Sequence, residues 1–424
     1  MLARFCAYGF LKNQRYFEPF FILFLMSKGL SFFEIGLLVA VREVSANALE
    51  VLSGALADVW GRRRAMVLSF GSYILSFILF SLATSPWLLA LAMAVYGVGE
   101  AFRSGTHKTM ILTWLRMQGR EDERTEVYGT TRSWSKIGSA LGVVLGSLWV
   151  IFTKDMSALF LWALIPYTLD LLNMATYPKE LDGTSSEEAS VKRAILHLKE
   201  AFTEALTHRP LRGLLVESGA FMGTFKVTSD YLQPILQAMA LTGLLSTSLA
   251  FMPESEQQRI ALHIGPVYVV LFLWSAYMSR RAKTLVKRLG EEERAARSLW
   301  VLFALAYGVM LVGAMISAQV VLVLAFLLLC ALEAAWRPIL LARFDMASEE
   351  KRGATLLSIE SQVRSLVAMV LAPGLGWIVD MATGPKEVLA SWPVAAWGLS
   401  IGVLAVIASQ VRSRRAPRAP EQPS

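Results

Sequence analysis

The chain has 424 residues, of which 55% are hydrophobic and 17% charged, with a mean hydropathy of +0.50 and a net charge of +8. A soluble globular chain carries about 25% charged residues and lacks recurrent long apolar runs, so that class is excluded. An all-α polytopic membrane protein is predicted, because apolar runs recur at about the 20 residues that cross a bilayer. Cys6 and Cys330 both lie in apolar runs and make neither a disulfide framework nor a metal site. No cofactor motif and no Gly-rich phosphate loop is present, and no nucleophile–base arrangement is legible, so an enzyme is not expected.

In chain order, twelve spans are predicted at about 5–27, 32–57, 64–83, 87–114, 127–152, 157–177, 211–238, 260–280, 298–316, 319–342, 355–380 and 388–410. The first is read as a retained span, not a signal peptide, for want of a small-residue cleavage site. Lys and Arg then fix the orientation. Twenty-seven fall in segments on the side of the termini, against four on the other: Lys28, Lys154, Arg259 and Lys386. That asymmetry puts both termini in the cytoplasm, with a bacterial inner (plasma) membrane as the expected site. Most of the positive charge is thereby a topology signal, and a nucleic-acid partner is not expected.

Four domains follow: an N-terminal six-helix bundle (1–177), a cytoplasmic linker with an amphipathic helix (178–210), a C-terminal six-helix bundle (211–410) and a disordered basic tail (411–424). The two bundles echo each other. RYFEPFFILFL in span one matches DYLQPILQAMAL in span seven, pairing Tyr16 with Tyr231, Glu18 with Gln233 and Pro19 with Pro234. GEAFRSG in span four, with Glu100 and Arg103, has a counterpart in LEAAWRP in span ten, with Glu333 and Arg337.

Between spans two and three stands GALADVWGRRRAM, residues 54–66. This loop resembles the signature loop of the Major Facilitator Superfamily. Gly54, Leu56, Ala57, Asp58, Gly61, Arg62 and Arg63 match, whereas Val59 stands where the family usually has a basic residue. In physical terms, Gly54 permits close helix approach, Asp58 can meet a basic partner or a helix N-terminus, and the arginines hold the cytoplasmic face. The resemblance implies two six-helix bundles around a central cavity open alternately to either side, with spans one, four, seven and ten lining it. Gly54, Asp58, Gly61, Arg62 and Arg63 would then serve as a conformational gate. Span five lacks the Gly-Pro step of the family's antiporter motif; Gly138, Gly142 and Gly146 instead give small-residue spacing that favours tight packing.

Ten basic residues remain inside the spans, and facing lipid they would cost roughly 25–35 kcal/mol. Lys108, Arg132 and Lys136 near span ends can snorkel; the central ones must face a polar interior. Span one carries Lys12, Arg15 and Glu18 at steps of three. Span four carries Glu100, Arg103 and His107, span seven Lys226 and Asp230, and span ten Glu333 and Arg337. Substrate binding is therefore assigned to Lys12, Arg15, Arg103, Lys226, Arg337, Tyr16 and Tyr231, and proton coupling to Glu18, Glu100, Asp230 and Glu333. The alternative is a set of structural ion pairs that fix helix registry. Arg42 in span two is expected to pair with a neighbouring acid, and Arg364 with Glu360.

The expected function is secondary active transport of a small organic, anionic or zwitterionic solute by a monomer, with H+ as coupling ion. A broad-specificity drug efflux pump is one alternative, for which a cavity richer in aromatics would be expected. A non-transporting membrane receptor on the same fold is the other.

Overall fold

The computed structural model describes residues 1–182, 203, 207–241, 255–289, 292–347, 353–384 and 389–415. The helix expected within 189–206 lies outside them except at Thr203, as does the tail beyond 415. The described residues are all-helical, without a strand. The first half of the chain forms α1 (Leu2–Lys12), α2 (Phe21–Ser27), α3 (Phe32–Trp60), α4 (Arg62–Leu82), α5 (Pro86–Arg103), α6 (Thr106–Met117), α7 (Arg124–Thr153) and α8 (Ala158–Ala175). The second half forms α9 (Arg209–Ser218), a π-helical turn (Gly219–Gly223), α10 (Thr224–Ser229) and α11 (Leu232–Leu241). It continues with α12 (Glu256–Leu289), α13 (Glu292–Met315), α14 (Gln319–Ala347), α15 (Gly353–Thr383) and α16 (Trp392–Arg415). The last helix runs past the tail boundary set at 410.

Eight of the described helices are long and apolar enough to cross a bilayer, which makes this an integral, multi-pass membrane protein. The others fall short for a common reason. The helix α3 carries Arg42, Glu43 and Glu50, and the segments at spans one, four and seven are interrupted beside their charges. The predicted unbroken first span is corrected here. The chain leaves the helix after Lys12, turns through 13–17, and resumes as a 3-10 turn at Glu18–Phe20 with Pro19 at its start. Asn13 donates its side-chain amide to the Gly9 carbonyl at 2.6 Å, competing with the helical ladder. Ser104 and Gly105, the latter at φ +76°, separate α5 from α6, and Asp230 and Tyr231 separate α10 from α11.

Broken backbone at membrane depth is tolerated only where other groups satisfy it. Tyr167 Oη donates to the Lys12 carbonyl at 2.9 Å, and Gln14 Nε2 to the Gly138 carbonyl at 3.2 Å. The glycines of α7 make this docking possible. A Cβ on Gly138 would stand 2.5 Å from the Phe10 carbonyl, and one on Gly146 would collide with the Tyr16 carbonyl. The small-residue spacing therefore packs α7 onto the first span, as expected.

The two halves of the chain meet mainly at the end of the bundle away from the termini. A Cβ on Gly36 of α3 would stand 2.5 Å from the Ala372 carbonyl of α15, and Gly376 lies as close to Phe32. Asp380 accepts from the backbone N–H groups of Phe32 and Phe33 at 2.9 and 2.8 Å, neutralising the start of α3. Gln258 Nε2 donates to the Ile151 carbonyl at 2.8 Å. Gln233 and Glu18, matched by the repeat, touch. Gln233 Nε2 donates to the Glu18 carbonyl at 3.0 Å and Oε1 accepts from Ile22 N–H at 2.8 Å. Toward the termini, by contrast, a Cβ on Gly54 would meet nothing within 4 Å. The close helix approach expected at Gly54 is not made among the described residues.

Candidate functional site

Between the halves lies a cavity of about 320 Å³. From the first half it is lined by Arg15, Glu18, Arg42, Tyr96 and Lys136. From the second come Asp230, Gln233, Tyr268, Ser275, Cys330 and Glu333. Its cations, Arg15, Arg42 and Lys136, all stand on first-half elements. Two of its three acids, Asp230 and Glu333, stand on second-half elements. The helix breaks explain the placement. Arg15 lies in the turn that follows α1 and Asp230 in the turn that ends α10, so both side chains leave the helical stripe and enter the void. Arg15 donates to Tyr167 Oη at 3.3 Å and lies 3.9 Å from Glu18, the one expected pair within span one that forms.

The remaining predicted residues divide among other places. Lys12 and Arg103 line a second, larger cleft of about 670 Å³ whose described lining residues all belong to the first half, and Arg103 donates to Tyr73 Oη at 3.0 Å. Tyr231 lines a small void of about 20 Å³ with its ring stacked on Phe32 at 5.5 Å. Tyr16 packs against Gly146, and neither Tyr16 nor Glu100 lines these cavities. Lys226 does not pair with Asp230. Its Nζ lies 2.6 Å from Glu43 Oε1, which also accepts from Arg42 Nη2 at 2.8 Å. Arg337 does not pair with Glu333 either. It reaches Glu360 at 3.3 Å, a buried carboxylate that also accepts from Ser218 Oγ at 2.6 Å and lies 3.8 Å from Arg364. Among the described residues, Glu100, Asp230 and Glu333 form no ion pair within 4 Å.

Sequence reasoning missed three contributions. Arg42 and Lys136 enter the cavity wall, though one was expected to pack among helices and the other to snorkel. The third is a buried clamp at the terminal end of the second half. Arg343 forms a two-pronged bond to Glu217 at 3.0 and 3.1 Å and reaches Glu293 at 3.0 Å, while Trp300 Nε1 donates to Glu217 at 2.9 Å. Glu217 falls inside the predicted span seven and Arg343 one residue beyond the predicted end of span ten, so neither spacing nor helix face pairs them. The signal lay in α14, which continues to Ala347.

The expected gate loop is partly ordered by the chain that follows α8. Gly61 takes φ +98°, which joins α3 to α4 at a sharp angle. Asp182 accepts from Arg63 N–H at 2.7 Å at the start of α4, and Arg63 Nε lies 3.9 Å from the same carboxylate. Arg62 donates to Thr113 Oγ1 at 2.9 Å. The Asp58 side chain lies outside those described.

A helical membrane bundle with a charged void between two halves that meet at one end defines a solute-transporter class of architecture, and comparison with known proteins agrees. Residues 1–373 match the family model of the Major Facilitator Superfamily, and the chain belongs to that family. Its members are transporters, not enzymes. The chain is 28% identical over 233 residues to an uncharacterised MFS-type transporter, YxaM, of Bacillus subtilis (strain 168), a match covering 53% of this chain and 56% of that one. It is 25% identical over 130 residues to the multidrug resistance protein MdtH of Yersinia pestis (strain Pestoides F), 31% of each chain. The matched stretches thus span about half and about a third of those relatives. In fold it is similar to the crystal structure of the nucleoside transporter NupG, with a TM-score of 0.74 at 13% identity, covering 98% of this chain and 97% of that one.

Proposed function

We propose that this protein is a proton-coupled secondary transporter that moves a small zwitterionic solute by alternating access. Twelve spans form two six-helix bundles, 1–177 and 211–410, with both termini in the cytoplasm of a bacterium and the linker between them. The observation that carries the reading is the charge separation in the central cavity. Arg15, Arg42 and Lys136 face from the first half, and Asp230 and Glu333 from the second. A solute with a carboxylate at one end and an amine at the other would bridge the two walls and favour their closure around it. Glu333 and Asp230, which lack an ion-pair partner among the described residues, are the proposed proton carriers. The sealed end away from the termini supports an inward-facing state, in which Gly54 and its loop await a partner on the cytoplasmic side.

Uptake of radiolabelled amino acids and dipeptides into proteoliposomes under an imposed pH gradient tests this. Gradient-driven flux lost in both Arg15→Gln and Glu333→Gln is expected. Undiminished flux in both variants discards the site.

One observation favours a second reading, broad-specificity drug efflux. Eight aromatic side chains, among them Phe17, Phe80, Phe225 and Phe326, share the cavity wall with the charges. The sequence alone had argued against such a wall. Gradient-driven movement of ethidium, with no flux of zwitterions, would establish that reading instead.

A further inference from the structure

The cleft of about 670 Å³ is one-signed, whereas the central cavity sets three cations against three acids. Lys12, Arg103, Lys108, Arg132 and Lys136 all line it, and among the described residues no Asp or Glu does. Its walls come from α1, from α5 and α6 on either side of their break, and from the first half of α7, so the cations are gathered from four separate helices. Snorkelling to an interface explains one charge at a helix end, but not five that converge on one void. Among the described residues, none of the five is in an ion pair. The nearby acids are elsewhere. Asp170 is fully buried and accepts from Asn173, and Glu100 is outside the lining.

Lys12 and Lys108 stand over the Tyr8 and Tyr128 rings at 5.7 and 5.6 Å, which holds the ammonium groups in place without neutralising them. Like charges crowded in a partly desolvated cleft repel one another until an anion enters. Arg103 and Arg132 offer the forked donors, and the lysines the point charges, that suit a phosphate.

We propose that this cleft is a binding site for a multiply charged oxyanion, a phosphate group above all, distinct from the central cavity and connected to it through Lys136, which lines both. The site stands on its own chemistry whether or not the central cavity carries a zwitterion. Its ligand is either a soluble phosphate compound or the headgroup of an anionic lipid.

The test uses the full chain in nanodiscs and inorganic pyrophosphate as the probe, read by isothermal titration. In phosphatidylcholine discs saturable binding is expected, weakened about tenfold or more in the Lys108→Gln/Arg132→Gln double variant. A charge-conserving Lys108→Arg/Arg132→Lys variant should retain it, which separates lost charge from lost folding. Repeating the titration in phosphatidylglycerol discs distinguishes the sources. Binding suppressed there points to a lipid headgroup, and binding retained there to a soluble anion; both support the site. No saturable binding in phosphatidylcholine, or equal binding by the neutralised variant, overturns it. Transport is not measured, so this outcome is separate from failure of the transporter reading.

Discussion

Lys226 Nζ on α10 lies 2.6 Å from Glu43 Oε1 on α3, an ion pair that joins the two halves of the chain at the edge of the central cavity. Glu43 is buried and also holds Arg42, so one carboxylate serves two cations from different halves. Removing the anion should therefore cost more than removing either cation. Glu43→Gln is expected to lower the thermal midpoint in detergent further than Lys226→Gln. A double-mutant cycle of the two should show a coupling of about 0.5–3 kcal/mol. Strict additivity would mean that the pair contributes nothing to joining the halves.

The clamp at Arg343 is more enclosed. Arg343→Met would leave Glu217 buried without its cation, a loss of about 3–5 kcal/mol. Arg343→Lys should recover little of it, because a lysine cannot make the two-pronged bond and reach Glu293 as well. Thermal unfolding of the purified protein reads both. A lysine variant as stable as the parent would show that the fork geometry is irrelevant.

Gly138 should tolerate no larger residue. Gly138→Leu would press on the Phe10 carbonyl and overpack the contact of α7 with the first span, at about 1–3 kcal/mol. Because that contact also positions the turn holding Arg15, flux should fall more than stability does. Comparison of initial transport rate with thermal midpoint decides whether the two losses separate.

Cys330 gives a direct report on access. It lines the central cavity, whereas Cys6 is buried. A membrane-impermeant maleimide applied from the side of the termini should label Cys330 and spare Cys6. Gly36→Val, which forces a side chain against Ala372 at the sealed end, should shift the protein toward the opposite state and slow that labelling severalfold. Unchanged labelling in Gly36→Val would mean that the contact does not hold the sealed end shut.

Proton coupling has its own signature. With Glu333→Gln, exchange of solute across the membrane should persist while uphill accumulation under a pH gradient is lost. Counterflow and accumulation measured on the same vesicles check it. Loss of both together would assign Glu333 to binding the solute instead.

The class of protein was legible in the amino-acid order, since apolar runs, basic asymmetry and the loop at 54–66 depend only on local composition and spacing. So was the need for Arg15, Glu18, Asp230 and Glu333 to leave the lipid, because no lipid-facing position tolerates such charges cheaply. Glu18 and Gln233 were matched by the repeat, and they touch. Arg15 with Glu18 and Arg364 with Glu360, each about one helical turn apart, were legible as well. The partners that charges find on other helices, by contrast, became visible only in the packed molecule. Spacing of three or four along a helix states which neighbours a side chain can reach within that helix. It cannot state where the helix breaks, as at 13–17, or which opposite charge another helix brings into contact. Lys226 therefore met Glu43, Arg337 met Glu360 and Arg343 met Glu217, each across helices, while Lys12 and Arg103 were carried into a separate basic cleft. Ion pairs form where packing juxtaposes charges, and packing is a property of the whole chain.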